Sequence, residues 1–406
     1  MSNEKKRSTF ALLALAVSAF AIGTTEFISV GLLPLIAKDL EIPVTTAGLT
    51  VSLYALGVTF GAPILTSLTS RMSRKALLLW IMVVFIIGNG LAASAASIGV
   101  LLLARVISAF SHGVFMSIGA TIAADLVPEN RRASAISIMF SGLTVATVTG
   151  VPFGTFIGQQ FGWRMAFVII ITVGVIAFVA NSFLVPSDLR KGVPSSFRDQ
   201  LKLVTNSRLL LLFIITALGY GGTFVVFTYL TPILQDITGF KEGTVAVILL
   251  VYGVAIAIGN MAGGKLANHN PIRALFYMFI LQAIVLFILM FTAPFKMAAL
   301  ITIFFMGLLA FMNVPGLQVY VVLLAERFVP SAVDVASAIN IAAFNAGIAI
   351  GSYLGGVITD SIGLIHTSWI GALMVLAAVV LTGWSGHLEK KDNKIAVTHD
   401  LKTVDF

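Results

Sequence analysis

Phe10-Ala-Leu-Leu-Ala-Leu-Ala-Val-Ser-Ala-Phe20-Ala-Ile-Gly-Thr-Thr-Glu26-Phe-Ile-Ser-Val-Gly-Leu-Leu33 contains a single ionisable residue. About 20 apolar residues in a helix rising 1.5 Å per residue cross a hydrocarbon core of roughly 30 Å, so this run reads as a membrane span. The basic prefix Met1-Ser-Asn-Glu-Lys-Lys-Arg7 resembles the start of a signal peptide. The run extends to about Leu33 without a convincing cleavage site, which makes it a first, retained helix. Similar runs recur along the chain, and residues 214–227 and 275–291 are apolar all round. A soluble helix would instead carry an apolar stripe at 3.6-residue spacing. Across 406 residues, 58% are hydrophobic and only 10% charged, with a mean hydropathy of +1.03. That leaves too little polar surface to enclose the apolar side chains in water, and lipid must be the outer solvent.

Spans are expected near 10–33, 45–69, 76–97, 98–124, 133–158, 163–185, 208–231, 243–266, 273–293, 296–324, 333–359 and 366–386, an all-α polytopic architecture of twelve transmembrane helices. With the N-terminus inside, the cytoplasmic side holds Lys5, Lys6, Arg7, Arg71, Arg74, Lys75, Arg131, Arg132, Arg190, Lys191, Arg198, Lys202, Arg208, Lys265, Arg273, Arg327 and the tail lysines. The outside receives Lys38, Arg164, Lys241 and Lys296, and Arg105 lies inside a span. Both termini are then cytoplasmic. The net charge of +8 is an orientation signal spread over short loops, which argues against nucleic acid as a partner. The absence of cysteine excludes disulfides and thiol chemistry.

The polar stretch around 186–207 divides the chain into an N-terminal six-helix bundle (1–185), a linker that has room for one surface helix, a C-terminal six-helix bundle (208–388) and a cytoplasmic tail (389–406). The halves echo one another: Gly150, Gly154 and Gly158 correspond to Gly347, Gly351 and Gly355, Pro34 to Pro232, and Gly57 to Gly253. Matching spans six apart keep the same orientation, as in the parallel repeats of two-bundle transporters.

Three residues carry the candidate chemistry. An ionised Glu26 inside the first span costs several kcal/mol unless it is paired, wetted or protonated. Arg105, in the descending fourth span, lies at similar depth, so the two can meet, either as a static ion pair or as part of a titrating site. His112, seven residues on, shares roughly the face of Arg105 nearer the midplane, where it serves as a proton carrier or as a hydrogen-bonded core residue. In the fifth span, Gly142, Gly150, Pro152, Gly154 and Gly158 combine small residues at four-residue spacing with a helix-bending proline. They read as close helix packing or as a hinge beside the substrate path. Intramembrane Tyr54, Phe115, Phe140, Tyr220, Phe224, Tyr229, Asn313, Gln318, Asn340, Phe344 and Asn345 are candidates for a mixed substrate pocket, interhelical hydrogen bonding being the alternative for each amide or phenol. No nucleotide loop, nucleophile motif or metal-ligand spacing appears, so no cofactor or metal is expected, and an ion gradient or the substrate's own gradient must supply the energy.

Several segments carry a resemblance: Gly23-Thr-Thr-Glu-Phe27, Gly31-Leu-Leu-Pro34, Ala104-Arg105, Ser111-His112-Gly113, and Gly150-Val-Pro152 through Gly162-Trp163-Arg164. Over residues 8–388 the chain resembles the drug/proton antiporter branch of the major facilitator superfamily, and most nearly its bacterial sugar-efflux and purine-efflux exporters. The resemblance implies export by exchange and ties Arg105 to proton transfer. The loop Ser70-Arg71-Met-Ser73-Arg74-Lys75 keeps the family's cations, a conformational role for Arg71 and Arg74, but Ser70 replaces the aspartate that latches the halves. Gly263-Gly-Lys-Leu-Ala-Asn268 likewise has Asn where an acid is expected. The expectation is a monomeric, non-enzymatic, proton-coupled antiporter of the inner (cytoplasmic) membrane, exporting drugs, sugars or nucleoside- or purine-like compounds. The alternatives are a facilitative uniporter or a sugar-specific efflux carrier without proton coupling, and a non-transporting receptor or scaffold.

Overall fold

In lipid the backbone cannot bond to water, so each span must satisfy its own amides, and the helix does so within one segment. The computed structural model describes residues 2–69, 72–128, 132–187, 189, 197–267, 270–330 and 333–403. Among the described residues, twelve helices are long and apolar enough to cross a membrane: α1 Ser8–Asp39, α2 Val44–Ala62, α3 Arg74–Ala93, α4 Ile98–Asp125, α5 Ile138–Phe161, α6 Trp163–Leu184, α7 Ser207–Phe227, α8 Glu242–Ala267, α9 Pro271–Thr292, α10 Lys296–Phe328, α11 Val335–Ser361 and α12 Leu364–Lys391.

The apolar side chains gather into two main cores. One joins Ile22 and Leu32 of α1 to Phe85, Phe115 and Phe167 of α3, α4 and α6. The other joins Phe213 and Phe224 of α7 to Phe279, Leu317 and Val375 of α9, α10 and α12. In the first group α1 packs on α5 and α6, and α4 on α2 and α3; in the second, α7 lies against α11 and α12, and α10 against α8 and α9. The two groups meet along α2 with α11 and α5 with α8.

The glycine stripes explain the repeat. A methyl group at Gly142 would strike the Ala16 carbonyl of α1, and at Gly150, Gly154 and Gly158 it would crowd Thr24, Ile28 and Leu32. Gly347, Gly351 and Gly355 of α11 press the same way on the carbonyls of Ala217, Gly221 and Val225 in α7. Four-residue steps on both members of each pair keep the backbones close over several turns. The stripe in α5 is thus a packing surface for α1.

Prolines interrupt the regular helices. Pro152 lacks the N–H that would bond the Val148 carbonyl, and the turn before it, Ala146–Gly150, loosens into a π-helical turn. The expected continuous span 208–231 instead ends at Phe227, and a short helix, Leu230–Pro232, follows. The expected span 296–324 breaks at Phe311–Asn313 and resumes with Pro315 in its first turn, where a missing donor is harmless. The linker forms one helix, Phe197–Thr205, with Leu203 fully buried. Ser70, Arg71, Arg131, Arg190, Lys191 and Asn268 lie outside the described residues.

Candidate functional site

Arg105 is held at the meeting of α1, α2 and α4, with 1% of its surface exposed. Its Nε donates to the Thr50 carbonyl at 3.1 Å, Nη1 to the Thr25 carbonyl at 2.6 Å and Nη2 to the Glu26 carbonyl at 3.1 Å. Helical carbonyls keep a second lone pair, and the flat guanidinium reaches three of them at once. One turn beyond Thr50 on α2, the Tyr54 ring lies under the guanidinium, 4.1 Å from centroid to Cζ. The Tyr54 hydroxyl lies 3.2 Å from His112 Nδ1. Tyr54 therefore fills the space that seven residues of α4 leave between Arg105 and His112. Thr25 also bonds Asn89 of α3 at 3.2 Å.

The Glu26 carboxylate is treated differently. The side chain is buried, yet the carboxylate has no hydrogen-bond or ion-pair partner among the described residues. The expected meeting with Arg105 is made through the Glu26 backbone carbonyl. The carboxylate sits within Coulombic reach of Arg105 and of Tyr220 across the molecule. Its neighbour Phe27 carries α1 into the second half: ring centroids lie 6.1 Å from Phe224, 6.5 Å from Phe227 and 6.0 Å from Phe311. Tyr220 packs on Phe224, Phe311 and Phe344 at 4.9–5.2 Å, and Phe227 stacks on Tyr252 at 5.1 Å. One unpaired acid thus borders an aromatic seam between the halves.

Beyond this seam, toward the C-terminal end of α1, the halves close. Pro34 frees the Val30 carbonyl, and the Thr231 hydroxyl of the other half donates to it at 3.0 Å. Gly48 lies under the Tyr229 hydroxyl, and nearer the middle of the spans Gly253 of α8 lies against Val148, the carbonyl that Pro152 cannot bond. Gln159 donates to the Glu242 carbonyl at 2.8 Å. At the same end Asp39 accepts from Arg164 at 2.6 Å and from Trp163 at 3.0 Å.

The second half buries amides. Asn313, in the break of α10, donates to Gln282 at 2.9 Å, and Gln282 donates in turn to the Gly219 carbonyl at 3.0 Å and to Thr223. Thr216 donates to Asn340 at 2.8 Å, and Asn345 donates to its own helix at Ile341. One atom of each of Asn313, Gln318, Asn340 and Asn345, and the Tyr252 hydroxyl, is buried without a partner. Such groups ask for water or a ligand.

Of the expected pocket residues, Tyr220, Phe224 and Phe344 share the aromatic seam. Tyr54 belongs instead to the Arg105 cluster, Phe115 to the core of the first half, and Tyr229 to the closed end, where its hydroxyl reaches the Ser352 carbonyl at 3.4 Å. Phe140 is half-buried against the first core. Arg74 pairs with Asp125, joining α3 to α4. Sequence reasoning passed over Phe27, Phe227, Phe311, Tyr252, Gln282 and Thr231. Gln282 alone carried a signal, as a lone amide in an apolar run.

Residues 15–327 match the family described as Major Facilitator Superfamily. The chain is 81% identical over 396 residues to the "Uncharacterized MFS-type transporter YtbD" of Bacillus subtilis (strain 168), covering 98% of this chain and all of that one. It is 37% identical over 373 residues to the "Inner membrane transport protein YdhP" of Escherichia coli (strain K12), covering 92% and 95%. Among solved structures, the bacterial homologue of the human lysosomal transporter Spinster, in an inward-facing and occupied conformation, aligns with a TM-score of 0.75 at 17% identity over 93% of this chain and 97% of that one.

Proposed function

The chain belongs to the major facilitator superfamily and is a multi-pass transporter of the cytoplasmic membrane, and on that footing we propose that it is a proton-coupled antiporter exporting small molecules by alternating access. One observation carries this reading: the buried carboxylate of Glu26 has no bonded partner among the described residues, although the Arg105 guanidinium of α4 lies against the same turn of α1. A structural ion pair would have closed that contact. Left open, the carboxylate can exchange a proton for a cationic or polar group of the cargo, while the Arg105 charge stays fixed by backbone carbonyls.

The coupling follows from position. Glu26 and Phe27 are adjacent, so the charge state of one and the packing of the other cannot change independently. A proton on Glu26 removes the cost of carrying a charge into the apolar seam and lets the halves rearrange around it; cargo bound there does the same by neutralising or displacing it. Tyr54 of α2 links Arg105 to His112 along the face of α4 that they share. The aromatic rings on both halves favour lipophilic, ring-bearing cargo over sugars, whose hydroxyls would lose water without enough partners. On the charge distribution, the closed end would face outside.

The test is a substrate screen in vesicles with an imposed pH gradient. Accumulation driven by the gradient, lost in Glu26→Gln, is the expected result. Saturable flux indifferent to both the gradient and the substitution would make the chain a uniporter, and no saturable flux with any compound would remove transport by this route.

A further inference from the structure

A groove on the outer surface of the second half takes no part in the aromatic seam. It has a volume of about 590 Å³, inside the range of roughly 300–1,000 Å³ common for small-molecule sites. Asn270 and Arg273 stand at one end, Tyr277 follows, and Leu281, Ile284 and Met312 line the deeper part. From Asn270 to Ile284 the helix α9 climbs about 21 Å at 1.5 Å per residue, longer than one leaflet of a core roughly 30 Å thick.

Two features choose the occupant. The deep part is apolar and opens on membrane-spanning helices, with Tyr277, Leu281 and Ile284 about half exposed, so whatever fills it arrives from the hydrocarbon phase. The end carries a cation: Arg273 is exposed, its guanidinium has no partner among the described residues, and no Asp or Glu lines the groove. A guanidinium fork matches phosphate oxygens, and anionic lipids concentrate on the cytoplasmic side, where the charge distribution puts Arg273. We propose that this groove binds an anionic phospholipid, with its phosphate on Arg273 and one acyl chain along α9 and α10. The site touches the transport machinery from behind. Met312 lies in the break of α10, and its neighbour Phe311 packs on Tyr220 and Phe27. An acyl chain in the groove therefore bears on the segment that supports the seam.

The full chain in neutral detergent, titrated with dioleoyl phosphatidylglycerol, dioleoyl phosphatidylcholine or glycerol 3-phosphate and followed by native mass spectrometry and thermal unfolding, tests this. Phosphatidylglycerol should be retained and should raise the unfolding temperature more than phosphatidylcholine does. Arg273→Gln should weaken that retention about tenfold, the loss of one charge-assisted contact, while Arg273→Lys keeps part of it. Ile284→Trp, which fills the groove and leaves the cation in place, should also weaken it. Equal retention of the two lipids by the native chain, unchanged selectivity in both Arg273→Gln and Ile284→Trp, or a shift reproduced in full by glycerol 3-phosphate would each overturn the proposal.

Discussion

In the first half, formal charge is carried into the membrane: among the described residues Glu26 and Arg105 are the buried carboxylate and guanidinium, and both belong to α1–α6. The corresponding depth of the second half holds neutral groups, with Asn313, Gln282, Thr223, Thr216 and Asn340 bonded among themselves. The backbones nevertheless repeat, since the glycine stripe of α5 lies on α1 as that of α11 lies on α7. Packing has been kept in both copies while polar chemistry has not. The contrast suits a division of labour in which one half manages charge and the other offers hydrogen bonds and aromatic surface to cargo.

Substitutions can break that contrast in order of expected effect. Glu26→Gln removes the unpaired acid at the seam, and gradient-driven transport in vesicles should fall on the order of a hundredfold or more, as for loss of a proton-transfer group, with cargo binding far less affected. Arg105→Lys keeps the charge but cannot span three carbonyls and a tyrosine face. A stability loss of about 2–3 kcal/mol should appear as a lowered unfolding temperature, together with weakened coupling. Thr231→Val leaves the Val30 carbonyl unpaired where the halves close. The closed-end contact should weaken by about 1 kcal/mol, roughly fivefold in conformer population, read as a distance change between paired labels; the native chain has no cysteine to interfere. Asn340→Ala, in the neutral half, should cost least. It strands only the Thr216 hydroxyl, worth about 1 kcal/mol, and should raise the KM for cargo without altering proton coupling.

Much of the fold was legible because lipid imposes a simple rule: long apolar runs must be helices, and the twelve expected spans correspond to α1–α12 with ends shifted by a few residues. The interruptions at Thr228 and at Phe311–Asn313 were not, because a hydropathy pattern records composition and not which carbonyls a proline releases. Glu26, Arg105 and His112 stood out as ionisable groups in apolar runs. The link through Tyr54 did not: that Tyr54 joins Arg105 to His112 depends on how α2 lies between α1 and α4, which no single segment encodes. Phe27 and Thr231 were equally hidden. An apolar ring or a hydroxyl in a span looks ordinary until the opposite half is placed against it.

The central claim is that the unpaired Glu26 carboxylate holds a proton that cargo displaces. Proton release on cargo binding to the solubilised chain measures this directly, through the weakly buffered pH change. About one proton released per cargo bound, absent in Glu26→Gln, is the result expected from reciprocal linkage between the two ligands. Cargo binding with no proton release by the native chain, or release that persists in Glu26→Gln, would contradict it.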